Sequence, residues 1–139
     1  MNKEWIFSLD QINEVASDLA LLLGEGSKIF LTGDMAAGKT TFTKSLVLAL
    51  GSNNEVTSPT YSLVNEYEMD KAPYIIRHLD LYRINRIEET LDFGIEDYLF
   101  DDSICIIEWP EIIEEIAPEN VFRLNLSVLT NNQRKLVIL

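Results

Sequence analysis

Gly33, Gly38, Lys39 and Thr40 stand at the spacing G-x-x-x-x-G-K-[ST] inside residues 28–41, KIFLTGDMAAGKTT. A loop that wraps a phosphate turns backbone N–H groups inward, and glycine makes that turn without a Cβ clash. Gly33 and Gly38 supply this freedom. Lys39 has the charge and reach for β- and γ-phosphate oxygens, and the Thr40 hydroxyl suits Mg²⁺. A helix starting at this point aims its positive N-terminus at the phosphates. The pattern predicts a nucleotide-phosphate and Mg²⁺ site.

Hydrolysis needs more than a cradle: a carboxylate at a neighbouring strand end must hold Mg²⁺ or orient water. Glu108 follows the apolar run 104–107, and Asp80 ends the run 74–79, so both are candidate acids. Residues 56–60 are rich in hydroxyls, and Thr57, Ser58 and Thr60 read as a loop able to bend over the γ-phosphate and respond to the bound nucleotide. Sequence does not separate Ser58 from Thr60. Trp109, next to Glu108, suits stacking on a base, plugging a cleft or plain core packing. His78 reads as structural rather than as a base, and Arg83 as either a phosphate contact or a solvated charge.

These residues need a strand over 29–32 before the loop and a helix over 40–50 after it, closed by Gly51. Ahead of them, residues 4–8 alternate around Trp5 and Phe7 as a short edge strand. Ser8 and Gln11 have the spacing of a capping box, and Ile12, Val15, Ala16, Leu19, Leu22 and Leu23 recur at helical spacing until Gly24 and Gly26. On the helix 40–50, Phe42, Leu46, Val47 and Leu50 form the stripe expected to be buried, with Lys44 and Ser45 outward. Residues 61–68 and 74–80 read as hairpin arms about a turn at 69–72, and 85–100 as helix interrupted at Gly94. The run 103–108 reads as a central parallel strand. A short acidic helix over 111–116 and a hairpin of 121–129 with 134–139 follow, and the acidic run 88–102 reads as a solvated face. The expected fold is α/β, a mainly parallel central sheet with antiparallel hairpins at its edges, in a single domain over 1–139.

The formal net charge is −12, from 23 acidic and 11 basic residues, which disfavours tight binding to a polyanion and favours a basic-surfaced protein partner. Cys105 is the one cysteine, so no internal disulfide forms and a reducing compartment is expected. The segment MNKEWIFSLD lacks the features of a signal peptide, and no apolar stretch approaches the roughly 20 residues that span a bilayer. The expectation is a cytoplasmic protein with no membrane attachment.

The ordered series GDMAAGKTT, TSPTYSLVNEY, HLDLYRI, DFGIEDYLF and SICIIEWPE resembles the bacterial TsaE family, the small P-loop ATPases of tRNA threonylcarbamoyladenosine formation. The resemblance runs from the loop to Glu111. It implies a three-layer fold of the P-loop NTPase type, binding of ATP/ADP and Mg²⁺, and slow Mg-dependent ATPase activity. It also implies action on the TsaB and TsaD proteins, with tRNA, modified at adenosine 37, touched only indirectly. Lys39, Thr40 and Thr41 match the family's phosphate and Mg²⁺ residues, with Ala37 in the loop beside them. Residues 57–60 match its switch-like loop, Asp80 the acid of H-x-D-L-Y-R, and Glu108 with Trp109 its strand-end acid and aromatic. Ala36 departs from the usual glycine, and its methyl group near the phosphates implies a changed nucleotide affinity. Two other classes share the loop: a small-molecule P-loop kinase, for which Arg83 and Arg86 are the only nearby arginine pair, and a nucleotide-gated binding module without relevant hydrolysis. A GTPase would need an N-K-x-D motif after the loop, and there is none.

Overall fold

Short apolar strands that bury both faces set the frame. In the computed structural model, which describes residues 3–34, 37–52, 64–69 and 75–139, the strands β2 (Lys28–Gly33) and β5 (Ile104–Glu108) lie side by side and parallel, and every residue of β5 is buried. β4 (Ile75–Asp80) runs parallel to β5 on its other side, and β6 (Phe122–Thr130) parallel to β2. Antiparallel strands finish both edges: β3 (Val64–Glu68) pairs with β4, while β7 (Gln133–Ile138) pairs with β6 and then with β1 (Lys3–Ser8). The described residues thus form one seven-stranded sheet, ordered β1-β7-β6-β2-β5-β4-β3. A mainly parallel centre with antiparallel hairpins at the edges is what the sequence pattern predicts.

Alternation along the strands makes two apolar layers. Ile29, Leu31, Ile76, Ile104 and Ile106 pack with Val15, Ala16 and Leu19 of helix α1 (Ile12–Ala20) and Phe42, Leu46 and Val47 of helix α2 (Lys39–Ala49). Phe30, Leu79, Cys105 and Ile107 face the other way. They meet Ile95 and Leu99 of α4 (Ile95–Phe100) and Ile113 of the 3₁₀ segment Pro110–Ile116, with α3 (Ile87–Asp92) just before α4. Each fully buried side chain of this size contributes roughly 1.5–3 kcal/mol relative to exposure, so the sheet is held from both faces.

Several local expectations change. The backbone N–H of Ser8 does donate to Gln11 Oε1 at 3.0 Å, but this closes a 3₁₀ turn, Leu9–Gln11, before α1 begins. α1 ends at Ala20, not at Leu23, and Leu22 is 45% exposed because it lies past the last helical turn. The pattern places Ser45 outward, but it is buried, since α2 is covered beyond its apolar stripe, whereas Lys44 is exposed. The hairpin β6–β7 turns through Asn131 and Asn132, with Thr130 opposite Gln133. The expected hairpin turn at 69–72 lies largely outside the described residues.

Asp101 overturns part of the solvated-face reading of 88–102. It joins a polar cluster at the N-terminal ends of β2, β4 and β5. Lys28, only 3% exposed, donates from Nζ to Asp101 Oδ1 at 3.0 Å and to the Ser103 carbonyl at 2.6 Å. Arg77 pairs with Asp101 and with Glu66, and its guanidinium lies 4.4 Å from the Tyr98 ring centroid. Burial alone would raise the Asp101 pKa; hydrogen bonds from Ser103, Arg77 and Lys28 outweigh it and hold the carboxyl well below the usual carboxylate range. Because the folded value is the lower one, the stabilisation is present above the unfolded pKa of about 4 and is lost as pH falls. Asp101→Asn is therefore expected to cost about 2 kcal/mol at neutral pH, where Lys28 and Arg77 lose a charged acceptor. In urea unfolding, its deficit against the parent should shrink as the pH is taken below about 4.

Candidate functional site

Parallel strands deliver their C-terminal ends to one edge of a sheet, and ligands gather in the crevice there. Here β2 ends at Gly33, β4 at Asp80 and β5 at Glu108, and the register sets Asp80 directly beside Glu108. Side chains two apart share a face. Asp80 and Glu108 therefore continue the rows of Ile76 and of Ile104 and Ile106, which pack on the α1/α2 layer. The N-terminus of α2 stands over this edge. Gly38, Lys39, Thr40, Thr41, Asp80, Glu108 and Trp109 line a cleft of about 330 Å³.

Lys39 is 4% exposed, and its Nζ donates to the Gly33 carbonyl at 2.6 Å. The ammonium also lies 3.8 Å from the centroid of the Trp109 ring. Burial pushes its pKa down, opposed by the charges of Glu108, Asp80, Glu111 and Asp34. Asp80 is shifted upward, first by burial and then by the nearby Glu108 charge, although the Tyr82 N–H donates to its Oδ1 at 3.0 Å and His78 and Lys39 pull the other way. Glu108 is 2% exposed, and its Oε2 meets His78 Nε2 at 2.5 Å. A buried cation thus faces two acids across a cleft open to solvent.

Two glycines serve different needs. A Cβ on Gly33 would lie 2.3 Å from the Leu126 carbonyl oxygen on β6, and its φ is 151°. β6 therefore demands glycine here, whatever the loop binds. Gly38 has open space around a Cβ but a φ of 93° at the N-cap of α2, so its requirement is the left-handed backbone. Trp109 is the one non-glycine residue with positive φ among the described residues, at 55°. This turn brings its indole back over Lys39, where it also packs against Tyr82 with ring centroids 5.1 Å apart.

Gly38, Lys39, Thr40, Thr41, Asp80, Glu108 and Trp109 thus come together as their motifs suggest, and Gly33 supports Lys39 from below. Ala37 is buried, and its carbonyl accepts a hydrogen bond from Arg134 Nε at 3.2 Å. Arg134 is separated from Ala37 by most of the chain, and no local pattern announces it. Ala36, Thr57, Ser58 and Thr60 lie outside the described residues. Arg83 is exposed. His78 sits two residues before Asp80, on the same face of β4, and meets Glu108 of the neighbouring strand, a contact the sequence spacing does not announce. Two carboxylates and a threonine hydroxyl are the hard oxygen donors that suit Mg²⁺ when phosphate oxygens and water complete its shell. No group of three or more His, Cys, Asp or Glu side chains forms a metal cage among the described residues.

Two consequences follow for stability. Gly33→Ala is expected to cost at least about 2 kcal/mol in urea unfolding, from the clash with the Leu126 carbonyl and the strained φ. Asp80→Asn is expected to raise the thermal midpoint at neutral pH, because the fold resists the charge and the amide still accepts from Tyr82. The folded pKa of Asp80 lies above its unfolded value, so the parent itself gains stability on protonation. The advantage of the variant should fade as melts are taken from about pH 8 to about pH 4.

Comparison with known proteins shows the family and the fold of the chain. The family model described as "Threonylcarbamoyl adenosine biosynthesis protein TsaE" matches residues 6–136. The tRNA threonylcarbamoyladenosine biosynthesis protein TsaE of Treponema pallidum is 38% identical over 117 residues, 84% of each chain. That of Haemophilus influenzae is 45% identical over 98 residues, which is 70% of this chain and 61% of the relative, and that of Bacillus subtilis is 31% identical over 91% of this chain and 78% of its own. The crystal structure of Bacillus subtilis YdiB shares the fold with a TM-score of 0.80 at 24% identity, covering 99% of this chain and 84% of that one. No helix of the described residues is long and apolar enough to cross a membrane. With a family match spanning nearly the whole chain, the protein belongs to the TsaE family and to tRNA threonylcarbamoyladenosine biosynthesis.

Proposed function

We propose that this chain is one P-loop ATPase domain that binds ATP/ADP with Mg²⁺ and hydrolyses ATP slowly. It acts in the cytoplasm on the TsaB and TsaD proteins, supporting modification of adenosine 37 while touching tRNA only indirectly. The observation that carries the reading is the register pair Asp80–Glu108, which stands across the cleft from Lys39 at the N-terminus of α2. A phosphate cradle alone names a ligand; two acids at adjoining strand ends add the means to hydrolyse it. The net charge of −12 supports a protein rather than a polyanion as the direct partner.

On this reading, Lys39 exchanges the Gly33 carbonyl for β- and γ-phosphate oxygens, guided by the Trp109 ring. The Gly38–Thr41 backbone at the helix N-terminus donates to phosphate. Thr40, Asp80 and Glu108 would hold Mg²⁺, directly or through water, and the bound ion supplies neutralisation of phosphate charge. Glu108, with its buried carboxylate, orients the attacking water, and sensing of the γ-phosphate is assigned to Thr57, Ser58 and Thr60. Trp109 is placed to border the base or ribose.

The test is steady-state phosphate release from ATP, with the protein alone and with TsaB and TsaD. Lys39→Ala is expected to abolish nucleotide binding. Glu108→Ala is expected to bind ADP while losing about 10²-fold or more in turnover. A parent with no turnover even beside its partners would sink the ATPase reading, and transfer of labelled γ-phosphate to a metabolite would replace it with a kinase.

A further inference from the structure

His78 is a buried titratable group beside the cleft that the proposed activity leaves unused. It is 0% exposed, in the middle of the α1/α2 face of β4, with Ile106 opposite it in the register and Asp80 two residues on. Its Nε2 meets Glu108 Oε2 at 2.5 Å, while its Nδ1 is buried without a hydrogen-bond partner among the described residues. A histidine serving only as core would be expected to use both nitrogens, since a buried polar atom left unpaired costs free energy. Leucine would pack at such a position with no orphan lone pair. The polar commitment of the ring is therefore to Glu108 alone.

That bond has a geometric consequence. A glutamate at a strand end has three rotatable bonds and two equivalent oxygens. Fixing Oε2 on a buried imidazole restricts the rotamers open to Glu108, a residue that lines the cleft. It also gives Glu108 an alternative to swinging onto the Lys39 ammonium, whose charge it already feels. Such a swing would compete with phosphate for the lysine.

We propose that His78 is a positioning residue for nucleotide hydrolysis: it donates from Nε2 to Glu108 and holds that carboxylate toward the cleft. The inference rests on the reading of Glu108 as the acid of an ATPase site. Removing a group that orients an acidic ligand or base typically costs about 10–100-fold in activity.

The experiment compares the parent with His78→Leu, His78→Gln and Glu108→Gln, alone and with TsaB and TsaD. It measures kcat and KM for ATP, ADP affinity and thermal melting. His78→Leu is expected to lower kcat about 10–100-fold while leaving ADP affinity within about twofold. His78→Gln, whose amide N–H₂ can still donate to the carboxylate, should recover most of that loss. A folded His78→Leu with kcat within about threefold of the parent overturns the proposal. So does a folded His78→Gln as slow as Glu108→Gln, and this second variant decides the matter if the leucine variant fails to fold. Glu108→Gln separates the two levels of argument. If it is slow while His78→Leu is fast, only the role of His78 is lost; if it turns over like the parent, the ATPase reading beneath falls with it.

Discussion

A lysine ammonium taken out of water at the end of a sheet constrains everything around it. Lys39 is almost fully buried and its pKa is driven down by that burial, so its charge depends on compensation from nearby. The compensation comes from three kinds of neighbour: a carbonyl on β2, the face of Trp109, and the charges of Glu108 and Asp80. None is local in sequence except Gly33. The fold therefore has to bring three parallel strand ends to one place before the loop lysine is tolerable at all. The charges of Glu108 and Asp80 offset part of the cost of burying the lysine but do not cancel it, so burial still sets the direction in which Lys39 and Asp80 shift.

What fixes the strands lies at the other pole of the molecule. Lys28, Arg77, Asp101, Ser103 and Cys105 interlock β2, β4 and β5 at their N-terminal ends, on the α3/α4 face, diagonally across the sheet from the cleft. A one-residue slip of β4 against β5 would turn Asp80 away from Glu108 and toward the wrong layer. It would also separate Arg77 from Asp101 and Ser103, each of which is specific in donor geometry. Apolar packing alone discriminates poorly here, since both faces of these strands are rich in isoleucine and leucine. The polar cluster thus supplies register, and register is what places the acids.

Much of this is legible in the sequence. The glycine and lysine spacing located the loop, and the fully apolar run of β5 located the central strand that carries Glu108. Both signals are local, because a phosphate-wrapping turn and a doubly buried strand each impose their own residue types. The pairing of His78 with Glu108 and the reach of Arg134 to the Ala37 carbonyl were not read, because they depend on which strands become neighbours. Gly33 shows a subtler failure. Phosphate wrapping is reason enough for a glycine there, yet the Leu126 carbonyl also excludes a side chain, so one residue type answers two demands and the sequence shows only the answer. Likewise Ser45 and Leu22 depart from their helical pattern because periodicity gives a face but not how far neighbouring layers cover it, nor where the helix ends.

The two poles differ in a way that bears on function. At the Lys28 cluster the charged groups are paired, and Asp101 titrates far in the stabilising direction. At the cleft the shifts run the other way: Asp80 is harder to ionise, Lys39 easier to deprotonate, Trp109 sits in a left-handed backbone and His78 keeps a bare nitrogen. Each of these is unfavourable taken by itself, and together they mark where the fold gives up stability. An anion bound against Lys39 and the α2 N-terminus would relieve the lysine, and a cation between the acids would relieve Asp80. By linkage, whatever is recovered on binding appears as affinity and as added stability of the bound form. On the proposed function, nucleotide binding is then expected to tighten this edge of the sheet while leaving the Lys28 pole unchanged.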